Sequence, residues 1–147
     1  VWLESRTLNV ERMLMRDSDK PFVLLARVTV KEGKVDEYLK AAAEVDAAVE
    51  QSEPGMLFHN FDADPTDPRV FTWTEVYQND AALHAHLNNP PVGKYLEAHA
   101  EFGENFEVDI YGLLGEKTIQ AVNALGIPWR HHKTTQVGYI RDSLHSA

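Results

Sequence analysis

A chain of 147 residues is long enough for one domain with a real core and short for two. It carries no cysteine, which excludes a disulfide scaffold, a thiolate metal site and a cysteine nucleophile, and fits a reducing cytoplasm. Asp and Glu number 23 against 14 Lys and Arg, and the resulting net charge of −9 speaks against a nucleic-acid partner.

No apolar run approaches the roughly 20 residues of a membrane span, and no signal peptide or low-complexity tract stands out. The start at Val1 reads as a trimmed one. Residues 1–21 scatter Leu3, Val10, Met13 and Leu14 among charges and end at a breaker, Asp17-Ser18-Asp19-Lys20-Pro21. They are predicted to be an arm outside the core fold. Phe22–Val30 is β-branched and apolar, the pattern of a buried strand, with Leu24, Ala26, Val28 and Val30 on one face. Val35–Gln51 repeats Val35, Tyr38, Leu39, Ala42, Val45 and Val49 at helical steps, with Asp36 and Glu37 in the first turn. Glu53-Pro54-Gly55 ends that helix.

Met56–Asp62 and Arg69–Gln78 read as strands joined by the turn residues Asp62-Ala63-Asp64-Pro65-Thr66-Asp67-Pro68, a hairpin. Asn79 is placed to cap a short helix through Leu87, and Asn88-Asn89-Pro90-Pro91 to break it. A helix from Val92 to about Glu104 and a strand over Phe106–Leu113 follow. The order β-α-β-β-α-β is the ferredoxin-like pattern, an α+β fold with both helices on one face of the sheet. Residues 22–114 form this unit. Residues 115–147 add a helix over Glu116–Leu125 and a predicted fifth strand over Thr134–Arg141, free to extend the sheet or pair with a second subunit.

Alternation without a bulge places Phe71, Trp73, Glu75 and Tyr77 on one side of the third strand and Leu57, His59 and Phe61 on one side of the second. Aromatic walls holding a histidine and a carboxylate suit a ligand pocket, since burying His and Glu costs free energy unless each is bonded. Trp73 and Phe71 read equally as stacking groups or as filler between two subunits. Adjacent His131 and His132 point to opposite faces of an extended chain, so with His145 they make no metal site.

The stretch from about Val23 to Leu114 resembles the antibiotic biosynthesis monooxygenase (ABM) superfamily. The residues that carry the likeness are VTVKEGKVDEY (Val28–Tyr38), EPGMLFHNFDADPTDPRVF (Glu53–Phe71) and TEVYQNDAALHAH (Thr74–His86). The resemblance implies a homodimer in which two sheets close an α+β barrel, each subunit keeping its own pocket. It also implies, for many members, oxidation of quinols or polycyclic phenols by O2 without a cofactor. Glu75, Tyr77 and His86 fall on the family's strand-three Glu, its aromatic two places on and its helix histidine. His59 departs from the Tyr or Phe usual there. Ala26-Arg27 and Tyr77 stand where heme-degrading members carry Asn and Trp, which argues against heme.

The reading that follows is a monooxygenase taking a small aromatic, quinol-like substrate and O2, with no cofactor, metal, nucleic acid or membrane. His59 is predicted to be the base, Glu75 its orienting partner and His86 a secondary catalytic candidate. Arg27, Phe61, Phe71, Trp73, Tyr77 and His99 are the predicted substrate contacts, Arg27 through an ion pair with Glu75 or an anionic oxygen. An isomerase or lyase on the same scaffold and a non-catalytic binding protein are the alternatives.

Overall fold

The computed structural model describes residues 19–145. The expectation of an arm over residues 1–21 therefore falls mostly outside the described residues. The elements in chain order are β1 (Phe22–Val30), α1 (Val35–Ser52), β2 (Met56–Ala63), β3 (Val70–Tyr77), α2 (Asp80–Leu87), α3 (Pro90–Phe102), β4 (Gly103–Tyr111), α4 (Glu116–Ala124), β5 (Trp129–His132) and α5 (Asp142–His145). The sheet order is β2-β3-β1-β4-β5. The first four strands pair antiparallel, and β5 adds to β4 in parallel. This is the ferredoxin-like α+β sheet, with its helices on one face.

Local chemistry sets each boundary. Gly33, at φ +79, makes the turn into α1, a conformation that disfavours a Cβ. The Asn79 side chain accepts from Ala82 N at 3.0 Å and caps α2. Pro90 and Pro91 open α3 where a break was expected: the first-turn N–H groups have no partner within the helix, so proline costs nothing there.

The core lies between the sheet and the helices. Leu24, Ala26, Val28 and Val30 meet Tyr38, Ala42, Val45 and Val49 of α1, with Leu83 of α2, Val92 and Tyr95 of α3 and Val122 of α4. Phe71, Trp73, Glu75 and Tyr77 are buried on this same helix-covered side. Phe71 and Trp73 are thus core of one subunit and not filler between two. A bulge between Met56 and Phe58 puts Met56 opposite Tyr77, so Leu57 drops out of the face shared by His59 and Phe61.

Among the described residues, no helix covers the far face of the sheet. Register aligns Phe58, Val76, Val23 and Tyr111 in one row across four strands. Phe58 and Tyr111 are 45% and 44% exposed.

The fifth strand is not over Thr134–Arg141. It is Trp129–His132, which the chain reaches after α4 returns it to the β4 edge. Trp129 and His131 turn toward the core side, and Arg130 and His132 both bond Asp109 on the other side. Residues 133–141 have no regular structure; Val137 is 95% and Tyr139 79% exposed.

Candidate functional site

Register brings the site together. His59 of β2 lies opposite Glu75 of β3, which lies opposite Leu24 of β1. His86 arrives from the inner side of α2, at 7% exposure. A cavity of about 70 Å3 separates these groups from the helices. That is several times the roughly 10–15 Å3 one water needs. Its walls are apolar, with Ala26, Val108 and Ile110 from the sheet, Leu83 and Leu87 from α2, Val92 and Leu96 from α3 and Val122 from α4. His59, Trp73, Glu75, Tyr77 and His86 also line it. Apolar walls with a few convergent polar groups are what a small-molecule site needs.

The polar groups form two histidine–carboxylate pairs around Glu75. His59 Nδ1 lies 2.8 Å from Asp46 Oδ1 and Nε2 lies 3.5 Å from Glu75 Oε1. Tyr77 donates its hydroxyl to Glu75 Oε2 at 2.6 Å. His86 Nδ1 lies 2.9 and 3.1 Å from the two oxygens of Glu53, which also accepts from Asn89 Nδ2 at 2.8 Å. The His59 and His86 rings stand 6.1 Å apart.

These contacts decide the charge states. Burial would pull the His59 pKa down, but the Glu75 and Asp46 carboxylates outweigh it and hold the imidazole above its ordinary value. Burial would push Glu75 up. The His59 contact, the charges of His86 and His59, and the Tyr77 hydroxyl outweigh that and keep its pKa low. Glu75 is therefore an ionised carboxylate inside an apolar cavity, held by its neighbours. Tyr77 is pushed well up by burial and by Glu75, so it stays a donor.

An aromatic wall backs the cavity. His59 stacks on Trp73 at 4.4 Å, and Phe61 packs between Trp73 and Phe71. Trp73 Nε1 can only donate, and it does so to the Tyr95 hydroxyl at 2.9 Å. The Tyr95 and Tyr38 hydroxyls are 2.5 Å apart, and Tyr38 Oη lies 2.7 Å from His99 Nδ1. A chain of contacts thus runs from the Trp73 N–H through the Tyr95 and Tyr38 hydroxyls to His99 Nδ1. Burial lowers the His99 pKa, which suits an acceptor, and raises Tyr95 to about 12.

Of the predicted site residues, His59, Glu75, His86, Trp73 and Tyr77 meet in one cavity. Phe61, Phe71 and His99 do not line it: the phenyl rings support Trp73, and His99 ends the tyrosine chain beside Phe106. Arg27 is on the helix-free face, its side chain 63% exposed and 3.6 Å from Asp64. It cannot pair with Glu75, because odd positions of β1 and odd positions of β3 lie on opposite faces. Glu75 meets His59 at Nε2, and Asp46 holds Nδ1. Sequence reasoning missed Asp46 and Glu53. Their signal was present in part: Asp46 falls next to Val45 on the inward stripe of α1, and Glu53 ends that helix. His131 bonds Gly112 O and His132 bonds Asp109. Among the described residues, no three His, Asp or Glu side chains are grouped to hold a metal ion, and no helix is long and apolar enough to cross a membrane.

Known proteins share the fold. A Synechocystis protein of uncharacterized function is 27% identical over 106 residues, 71% of each chain. A Bacteroides thetaiotaomicron structure, provisionally named an antibiotic biosynthesis monooxygenase, is 25% identical with a TM-score of 0.58. The match covers 62% of this chain and 87% of that one. A Caulobacter crescentus structure, provisionally named likewise, matches with a TM-score of 0.63 over 71% of this chain and 99% of its own. At 18% identity it speaks for the fold alone. Residues 21–103, more than half of the chain, match the family described as antibiotic biosynthesis monooxygenase, and the chain belongs to that family.

Proposed function

We propose that the protein is a cofactor-independent monooxygenase that oxidises a small aromatic, quinol-like substrate with O2 in the cavity beside His59 and Glu75. One observation carries this reading: an ionised carboxylate and an imidazole, each oriented by further partners, face an otherwise apolar cavity. Such a pair takes a proton from a phenolic hydroxyl. The remaining anion is electron-rich enough to reduce O2, and the apolar walls keep water from the reacting pair. Trp73 and Tyr77 flank the ring, and His86, fixed by Glu53, is a second polar contact. Independence of cofactors rests on the family resemblance.

The homodimer belongs to the same proposal. The helix-free face, with Phe58, Val76, Val23 and Tyr111 in a row, is the surface a second sheet would cover.

The test is O2 uptake, followed with an oxygen electrode over a panel of hydroquinones and polycyclic phenols. At least one should be turned over, and Glu75→Gln should lower kcat/KM by about 100-fold or more. Turnover that persists without O2 would replace the reading by an isomerase or lyase. No turnover of any phenol, with binding retained, would leave a binding protein.

A further inference from the structure

The two histidine–carboxylate pairs differ in one respect. Glu53, behind His86, is buried, its side chain 6% exposed, and Asn89 occupies it further. Asp46, behind His59, has a side chain 46% exposed. His59 itself is only 9% exposed. It lines both the inner cavity and a shallow outer cleft between α1 and β2, where Asp46, Asn60 and Asp62 meet solvent. The imidazole is thus a partition, with Nε2 turned to Glu75 inside and Nδ1 to Asp46 at the water side.

We propose that Asp46 is the solvent-side end of a proton relay that runs from the cavity through Glu75 and His59 to bulk water. The proposal rests on the reading of the cavity as a site for phenolic ligands. In the relay a ligand O–H bond breaks and its proton passes to Glu75 Oε1. From there it forms the Nε2–H bond of His59 as the Nδ1–H bond breaks. Asp46 accepts the Nδ1 proton and releases it to water, leaving an anion in the cavity. The same path in reverse returns a proton to the product. No electron moves in these steps. Asp46 touches no ligand, so it is a positioning and relay residue. The His86 pair has no such outlet and serves as a fixed contact.

The ionisable groups facing His59 are Asp46 from α1, Glu75 with Tyr77 from β3, and His86 from α2 with Glu53 behind it. Removing Asp46 removes one of two carboxylates in contact with the ring.

The experiment uses the whole protein and two readouts. NMR titration of the His59 ring is the first. Asp46→Asn should lower the His59 pKa by about 1 unit, as loss of an adjacent opposite charge does. An unchanged value would overturn the relay. The second is stopped-flow absorbance after mixing with 4-nitrophenol below its solution pKa, which reports phenolate as it forms. Asp46→Asn should bind the phenol with similar affinity and form phenolate at least tenfold more slowly. Asp46→Glu, or formate added to Asp46→Ala, should restore the rate, which a merely structural residue would not do. Equal rates in wild type and Asp46→Asn would overturn the relay. If 4-nitrophenol does not bind even the wild-type protein, the phenolic reading of the cavity fails, and the NMR titration alone decides the coupling of Asp46 to His59.

Discussion

At the scale of single residues, Tyr95 ties the aromatic wall to the helices. Its hydroxyl accepts from Trp73 and meets Tyr38, so Tyr95→Phe strands the buried Trp73 Nε1–H and leaves the Tyr38 hydroxyl with His99 alone. A loss of about 1–3 kcal/mol in urea unfolding is expected, since an orphaned buried donor bears its full desolvation cost. His59 makes stability depend on pH. Its pKa in the fold is raised above the ordinary 6.5, so its contribution is complete below about 6.5 and is lost as pH rises through the raised value. Glu75 works in the opposite sense, because a lowered carboxylate loses its contribution only as pH falls through the lowered value. His99, lowered by burial, also acts on the acid side. The urea midpoint should therefore decline from pH 6.5 to 9, and Glu75→Gln should flatten that decline. His59 and Glu75 were legible as a pair because period-two alternation fixes the face of each strand. Arg27 was misplaced by the chemical appeal of a cation near a carboxylate: alternation puts its β1 position on the opposite face from Glu75. Asp46 escaped notice because a carboxylate on a helix reads as solvated surface until a histidine is known to reach it.

At the scale of elements, the hairpin, the first helix and the cap at Asn79 were readable from local signals. Each depends on contacts within a few residues. The bulge at Met56–Phe58 and the position of β5 were not. Residues 134–141 have strand-forming composition, yet Trp129–His132 comes first after α4 and takes the open β4 edge. A strand needs a neighbour, and composition cannot say which segment reaches it first. α4 also carries a testable flaw. Thr118 is 1% exposed and its hydroxyl has no hydrogen-bond partner among the described residues. Thr118→Val keeps the shape and removes the orphan, so it should stabilise the protein by about 1 kcal/mol, read as a higher urea midpoint.

At the scale of the whole molecule, one sheet serves two purposes. Its helix-covered side encloses the cavity, and its other side presents the apolar row from Phe58 to Tyr111. The ferredoxin-like order was legible from the succession of periods, because two helix patterns among four strand patterns admit few topologies. The cavity as a volume was not legible, since it depends on how α2, α3 and α4 meet over the sheet. The most direct measurement is a crystal structure of the protein with hydroquinone at saturating concentration. The ring should lie in the cavity against Trp73, with one oxygen within hydrogen-bond distance of Glu75 Oε1 or His59 Nε2. A cavity without the ring, or a ring bound elsewhere with His59 and Glu75 still paired to each other, would contradict it.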